Sequence, residues 1–184
     1  GLEDLEVIEQ QTINCQNIVT DLLQFSKKQE STKEPACINR IIRDVAHMFR
    51  HQLKKKDIQL NLELDPDMPE ITVNRDKIRQ VMVNLVLNAM QAVREKGIIA
   101  INSGHHPDKK EVDFAVWDNG PGVESSIRYK IFDPFYSTKR TGEGTGLGLS
   151  VSYGIIQEHG GEISVESEKG KWTRFEVILP LDRE

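Results

Sequence analysis

The chain has 184 residues, 38% of them hydrophobic and 29% charged, ordinary proportions for a folded protein with room for one packed domain and an appendage. A net charge of −5 argues against a general nucleic-acid binder, which needs a basic face for phosphates. No apolar run approaches the roughly 20 residues of a bilayer span, and Cys15 and Cys37 show neither CxxC nor metal-ligand spacing, so a reducing, cytoplasmic setting is expected.

Residues 2–30 read as one amphipathic helix. Leu5, Ile8, Thr12, Cys15, Val19, Leu22 and Ser26 follow alternating steps of three and four, and Ile18 and Phe25 widen the stripe. Such a seam needs a second helix, from another copy or from chain beyond these residues; packing on its own domain is the alternative. The opening Gly1, in place of Met, points to a fragment of something longer. Pro35 ends the polar break that begins at Ser31, which divides the chain into 1–34 and 35–184. Beyond it the pattern predicts a helix over 38–54 that closes in a solvated Lys54-Lys55-Lys56, a strand over 58–64 and a turn over 65–69. A second helix follows, capped by Asn74 or Asp76, running to about Lys96 and stopped by Gly97. Its stripe of Ile78, Val81, Met82, Leu85 and Ala89 faces a core. Asn84 and Asn88 then lie one turn apart on the other side.

Residues 98–103 and 111–118 read as a hairpin turned by His105-His106-Pro107-Asp108. Asp118-Asn119-Gly120-Pro121-Gly122 follows the apolar alternation Val112, Phe114, Val116; taken alone, it is a turn as readily as a site. Ile131-Phe132-Asp133-Pro134-Phe135-Tyr136-Ser137-Thr138-Lys139 comes next. Then Gly142, Gly144, Gly146 and Gly148 run into a helix over 147–159. Alternate glycines let backbone approach an anion, and the free N–H groups of a helix start attract it, so the stretch suits a polyphosphate; a plain surface loop has the same composition. Gly160-Gly161 leads to strands over 162–166 and 174–179. The mixture implies an α+β fold, a two-layer sandwich whose mixed, mostly antiparallel sheet is covered on one face by helices, preceded by the long helix.

The four motifs, Asn84-Leu85-Val86-Leu87-Asn88-Ala89, Asp118 to Gly122, Ile131 to Lys139 and the glycine stretch, resemble in this order the ATP-binding catalytic domain of sensor histidine kinases. That domain belongs to a superfamily shared with DNA gyrase, mismatch-repair ATPases and a heat-shock chaperone. The resemblance covers about residues 35–180, and the short stretch from Tyr136 to Thr145 is similar to the lid of the nitrogen-regulation branch. It implies ATP and Mg2+ as ligands. Asn88 is the implied metal ligand, an amide oxygen joining phosphate oxygens and waters around a hard cation; an ordinary helix Asn is the alternative. Asp118 would accept from the exocyclic amine of adenine, with Gly120 and Gly122 flat against the base. Lys139 would reach phosphate oxygens, and Gly142, Gly144, Thr145, Gly146, Leu147 and Gly148 would surround them. Asn84 stands where hydrolysing relatives carry a water-activating glutamate, and an amide cannot take that proton. With Asn88 and Lys139 it makes up the catalytic set, and the reading moves from hydrolysis to phosphoryl transfer.

None of His47, His51, His105, His106 and His159 stands in a phosphoacceptor setting. His159 matches a position that ends the post-lid helix, where a cation suits the dipole. The acceptor histidine is therefore expected on a helix outside these residues, with Asp21-Leu22-Leu23-Gln24-Phe25-Ser26-Lys27 similar to the close of the second dimerisation helix. The expected partners are that phosphoacceptor helix, a response-regulator receiver domain and a second copy in a full-length homodimer, with no nucleic acid. An ATP-hydrolysing clamp and a non-catalytic nucleotide-binding module are the alternatives. Phe132 and Phe135 are expected to pack the hinge of the lid. Trp172 occupies the place of an expected glycine in Gly170-Lys171-Trp172-Thr173-Arg174-Phe175, which implies a turn of different build.

Overall fold

A computed structural model describes residues 32–93, 96–136 and 146–181; the expected helix over 2–30 lies outside them. The elements run β1 (Glu34–Cys37), α1 (Ile38–Lys55), β2 (Gln59–Leu64), β3 (Glu70–Val73), α2 (Arg75–Ala92), β4 (Ile98–His106), β5 (Glu111–Asp118), α3 (Gly148–Glu158), β6 (Glu162–Glu168) and β7 (Trp172–Pro180). Five strands form one sheet in the order β2-β4-β5-β7-β6, with β2 parallel to β4 and the other neighbours antiparallel. The fold is the expected mixed α/β arrangement with a mainly antiparallel sheet.

The register shows why one face carries the helices. Val112, Phe114 and Val116 lie opposite Leu179, Val177 and Phe175, and Ile101 lies opposite Val116. All seven are buried, and they merge into one core with Ile42, Val45 and Phe49 of α1 and with Val81, Met82 and Leu85 of α2. The alternate residues point to the far face. There Trp117 pairs with Arg174, which holds Glu176 at 2.7 Å. Among the described residues three helices on one side of a half-polar sheet give the two layers.

Several boundaries differ from the pattern-based expectation. α2 starts as expected, its Asn74 side chain accepting from Lys77 N at 2.8 Å. It ends at Ala92, four residues before Lys96. Val93 turns to extended geometry and is itself buried, so an inward apolar side chain stops the helix before Gly97 can. β4 runs on through His105 and His106, which pair with Val112 and Glu111 and do not form the turn. The reversal falls at Pro107–Lys109, with Lys110 left-handed at φ 54°. β1 and β3 pair antiparallel as a separate two-stranded sheet, where the sequence reads as a break. Pro35 opposes a helix but is tolerated in an edge strand, and four residues are too few for alternation to show.

Gly154 sits inside α3 with no atom within 4 Å of a built Cβ. Gly154→Ala is expected to stabilise the fold by about 0.5–1 kcal/mol through helix propensity alone, read as a higher urea midpoint at unchanged slope.

Candidate functional site

α2 is the spine of the site. Asn84, Asn88 and Ala92 follow one another by single turns along it, away from the buried stripe of Ile78, Val81, Met82, Leu85 and Ala89. At the Ala92 end lies the loop after β5: a Cβ on Gly120 would come within 3.0 Å of Ala92 Cβ. At the Asn84 end lies the first turn of α3, where Asn84 Nδ2 donates to Gly148 O at 3.1 Å and to Ser152 Oγ at 3.3 Å. Eight residues of helix rise about 12 Å. Asn88 stands midway, half-buried, and its amide forms no hydrogen bond with any other described residue.

Asp118 ends β5 on the helix-covered face, 2% exposed. One carboxylate oxygen accepts from Gly120 N at 2.8 Å; the other has no partner among the described residues. Burial raises its pKa from 3.8 to about 6, and the Gly120 bond opposes that rise. An acceptor held nearly dry, with one oxygen already fixed, is arranged to take a hydrogen bond from a ligand. Asn119 supports it. The Asn119 side chain accepts from Ile98 N at 2.7 Å while Asn119 N donates to Ile98 O, so the β4–β5 ladder is carried one residue past Asp118. In the sequence Asn119 is only a turn residue, because a side-chain copy of a strand bond leaves no pattern to find.

The glycines of this loop are required by protein neighbours. Gly122 has φ +68°, and a Cβ there would overlap Glu168 O and lie 2.8 Å from Glu168 C. Gly170, at φ +84° on the tip of the β6–β7 hairpin, donates its N–H to Pro121 O at 2.6 Å. The expected departure at Trp172 takes this form: Trp172 already belongs to β7, opposite Glu168, and a three-residue reversal carries one left-handed glycine. Ser167 ties the two parts together, accepting from Val123 N and donating to Trp172 O, each at 2.7 Å.

Lys139, Gly142, Gly144 and Thr145 lie outside the described residues, whereas Gly146, Leu147 and Gly148 lie within them. Phe135 N donates to Gly146 O at 3.0 Å, and a Cβ on Gly146, at φ +65°, would meet the Phe135 backbone at 2.6 Å. Phe135 is itself left-handed at φ 65° and 71% exposed. Its backbone makes the close contact, and its ring stands largely exposed. Phe132 does pack, its ring 6.0 Å from Tyr153 and 6.3 Å from Phe175. The Leu147 side chain is buried in the core, so only its backbone can face a ligand. α3 then begins at Gly148 with no side-chain cap, a start that suits an anion.

His159 departs from expectation. Its Nε2 accepts from Asn74 N at 3.0 Å, so the proton sits on Nδ1, which donates to Ile155 O at 2.7 Å. Burial lowers its pKa. The imidazole is a neutral strut between the end of α3 and the start of α2, and the cation at that helix end is Lys33, whose Nζ donates to Glu158 O at 3.1 Å. A concavity of about 860 Å³ between α1 and β2, lined by Arg43, Arg50, Lys54 and Leu62 among others, touches none of the site residues. Among the described residues no group of three His, Cys, Asp or Glu side chains could hold an ion, and no helix is long and apolar enough to cross a membrane.

Residues 73–183 match the family model described as histidine kinase-, DNA gyrase B-, and HSP90-like ATPase. Sensor kinase CckA of Brucella abortus (strain 2308) is 35% identical over 96% of this chain and 20% of its own length. Signal transduction histidine-protein kinase AtoS of Escherichia coli (strain K12) is 32% identical over 98% of this chain and 29% of its own. The chain thus spans less than a third of those two relatives. Among solved structures, the nucleotide-free catalytic domain of histidine kinase ThkA superposes with a TM-score of 0.73 at 35% identity, over 80% of this chain and 95% of that one. ThkA in complex with response regulator protein TrrA gives 0.82 at 30% identity, over 98% of this chain and 51% of that one. Full-length ShkA in complex with AMPPNP gives 0.81 at 27%, over 91% and 36%.

Proposed function

Because the chain belongs to the histidine kinase-, DNA gyrase B-, and HSP90-like ATPase family, and within it to the ATP-binding catalytic domains of sensor histidine kinases, we propose that it holds Mg-ATP along α2. From there it presents the γ-phosphate to a histidine outside these residues. The observation that carries the reading is the order along one helix face: a dry carboxylate loop beside Ala92, an amide at Asn88 that bonds no other described residue, and a helix start without a side-chain cap beside Asn84. A base fits at one end and phosphates at the other. The unengaged oxygen of Asp118 accepts from the adenine amine and selects adenine over guanine, whose carbonyl at that place offers no proton.

The donor set suits magnesium only as a companion of the nucleotide. Asn88 gives one neutral oxygen, and the described residues hold no carboxylate cluster, so phosphate oxygens and waters must complete the shell. When bound, the ion neutralises charge on the phosphates. Asn84 cannot take a proton from water, and its amide N–H groups point to Gly148 and Ser152. Water attack therefore lacks a base, and the phosphoryl group is kept for an incoming imidazole positioned in line. Lys139 and the glycines 142 and 144, with Thr145, complete the phosphate side. Residues 35–184 form the catalytic unit, and residues 1–34 supply the second helix of a dimerisation hairpin. That arrangement makes the parent a cytoplasmic homodimeric kinase that passes phosphate to a receiver-domain aspartate; ThkA, similar over nearly the whole chain, is known bound to such a regulator.

Calorimetric titration of ATP with and without Mg2+ tests the site. Magnesium should tighten binding to the wild-type chain, and Asn88→Ala should remove about tenfold of that gain, the worth of one ion contact. An undiminished magnesium effect in Asn88→Ala would refute the assignment. Label from γ-labelled ATP should reach a histidine-bearing dimerisation domain supplied in trans and should not appear on this chain alone.

A further inference from the structure

Ser152 is 0% exposed on α3, one turn after Gly148 and turned toward α2. A hydroxyl buried in this way must place both its proton and its lone pairs, because an unmade bond there is costly. The proton goes to Gly148 O, 2.9 Å away. Only acceptor capacity remains, and Asn84 Nδ2 fills it at 3.3 Å while also donating to Gly148 O at 3.1 Å. Gly148 O has no proton to give, so the direction of the triangle is forced. The nitrogen of the Asn84 amide faces α3, and its two N–H groups end on two atoms of one helical turn.

Two anchor points fix the plane of an amide where one would leave it free to swing. The consequence falls on the opposite atom. Asn84 Oδ1 is the polar atom of the amide that α3 does not bond, and Asn84 is one turn from Asn88 on the same helix face. We propose that Ser152 is a positioning residue: by holding the second N–H of Asn84 it orients the Asn84 carbonyl oxygen toward the phosphate side of the site and locks the first turn of α3 against α2. The inference rests on the nucleotide reading given above. Ser152 itself touches no ligand.

The test is a double-mutant cycle on the full chain, with Mg-ATP affinity read by calorimetry and stability by urea unfolding. Ser152→Ala should weaken Mg-ATP binding about fivefold in the wild-type background, and by less than about 1.5-fold once Asn84 is Ala, because the group it orients is gone. Ser152→Thr, which keeps the hydroxyl, should restore most of the affinity. A purely structural hydroxyl would instead lower stability and affinity by similar factors in both backgrounds, and that result overturns the proposal. So does an unchanged affinity in Ser152→Ala. If the wild-type chain fails to bind ATP, the nucleotide reading itself falls, an outcome that is told apart by the first titration.

Discussion

Asp118→Asn is expected to unfold at a higher urea concentration than the wild-type chain and, in the same protein, to lose ATP. The carboxylate is buried at the end of β5, and its pKa is raised from 3.8 to about 6 by desolvation. A carboxylate with a folded pKa above its unfolded one binds more protons when folded, so stability falls as pH rises from about 4 to about 6. Near pH 7.5 the ionised group costs on the order of 3 kcal/mol relative to a neutral one. An amide keeps the bond from Gly120 N without that cost. The gain should therefore be full above pH 6 and shrink as the pH is lowered toward 4. His159 acts in the other direction, its lowered pKa removing stability below about 6.5, but it is present in both proteins and cancels in the difference. Affinity moves oppositely, since the amide offers N–H where adenine also offers N–H. A loss of at least roughly 10- to 100-fold follows from one hydrogen bond to a charged acceptor. In the wild-type chain, ATP binding should weaken as pH falls through about 6. If Asp118→Asn were no more stable than wild type, or bound ATP as well, the carboxylate would not be a desolvated acceptor for adenine.

Gly122→Ala is expected to cost about 2–4 kcal/mol in stability and at least tenfold in nucleotide affinity. Two causes add. The backbone is left-handed at φ +68°, and the new methyl group would overlap the main chain at Glu168, which has no rotamer to change. Gly170→Ala separates them. It shares the positive φ, at +84°, with nothing within 4 Å of a Cβ, and should cost only about 1 kcal/mol of conformational strain. Equal losses in the two variants would show that the loop after β5 and the β6–β7 hairpin are not in firm contact.

Much of this molecule is legible in the sequence, for a physical reason. α2 is buried on Ile78, Val81, Met82, Leu85 and Ala89, and that period places Asn84 and Asn88 together before any coordinates exist. Val112, Phe114 and Val116 likewise reveal β5 and so put Asp118 at its end. What stays hidden are interactions that set no period. The end of α2 is decided by Val93 turning inward, β1 by pairing with β3 some 35 residues later, and the tautomer of His159 by the Asn74 amide. Ser152 could have been found, since it repeats the Gly148 position by one turn on the buried side of α3. Its meaning came only with the direction of the bonds to Asn84. Residues 139, 142, 144 and 145, which the resemblance assigns to the phosphates, belong to the part of the chain without described structure.

The backbone bond between Phe135 and Gly146 has a consequence for how this domain can diversify. Because the two residues are stitched at the rim, the chain between them is a detour whose entrance and exit coincide. Its length can change without shifting a single strand, since closing a longer loop between fixed ends costs only about 0.6 kcal/mol per doubling. The segment between them is thus a part that can be lengthened or exchanged while the carboxylate, the amides and the sheet stay where they are.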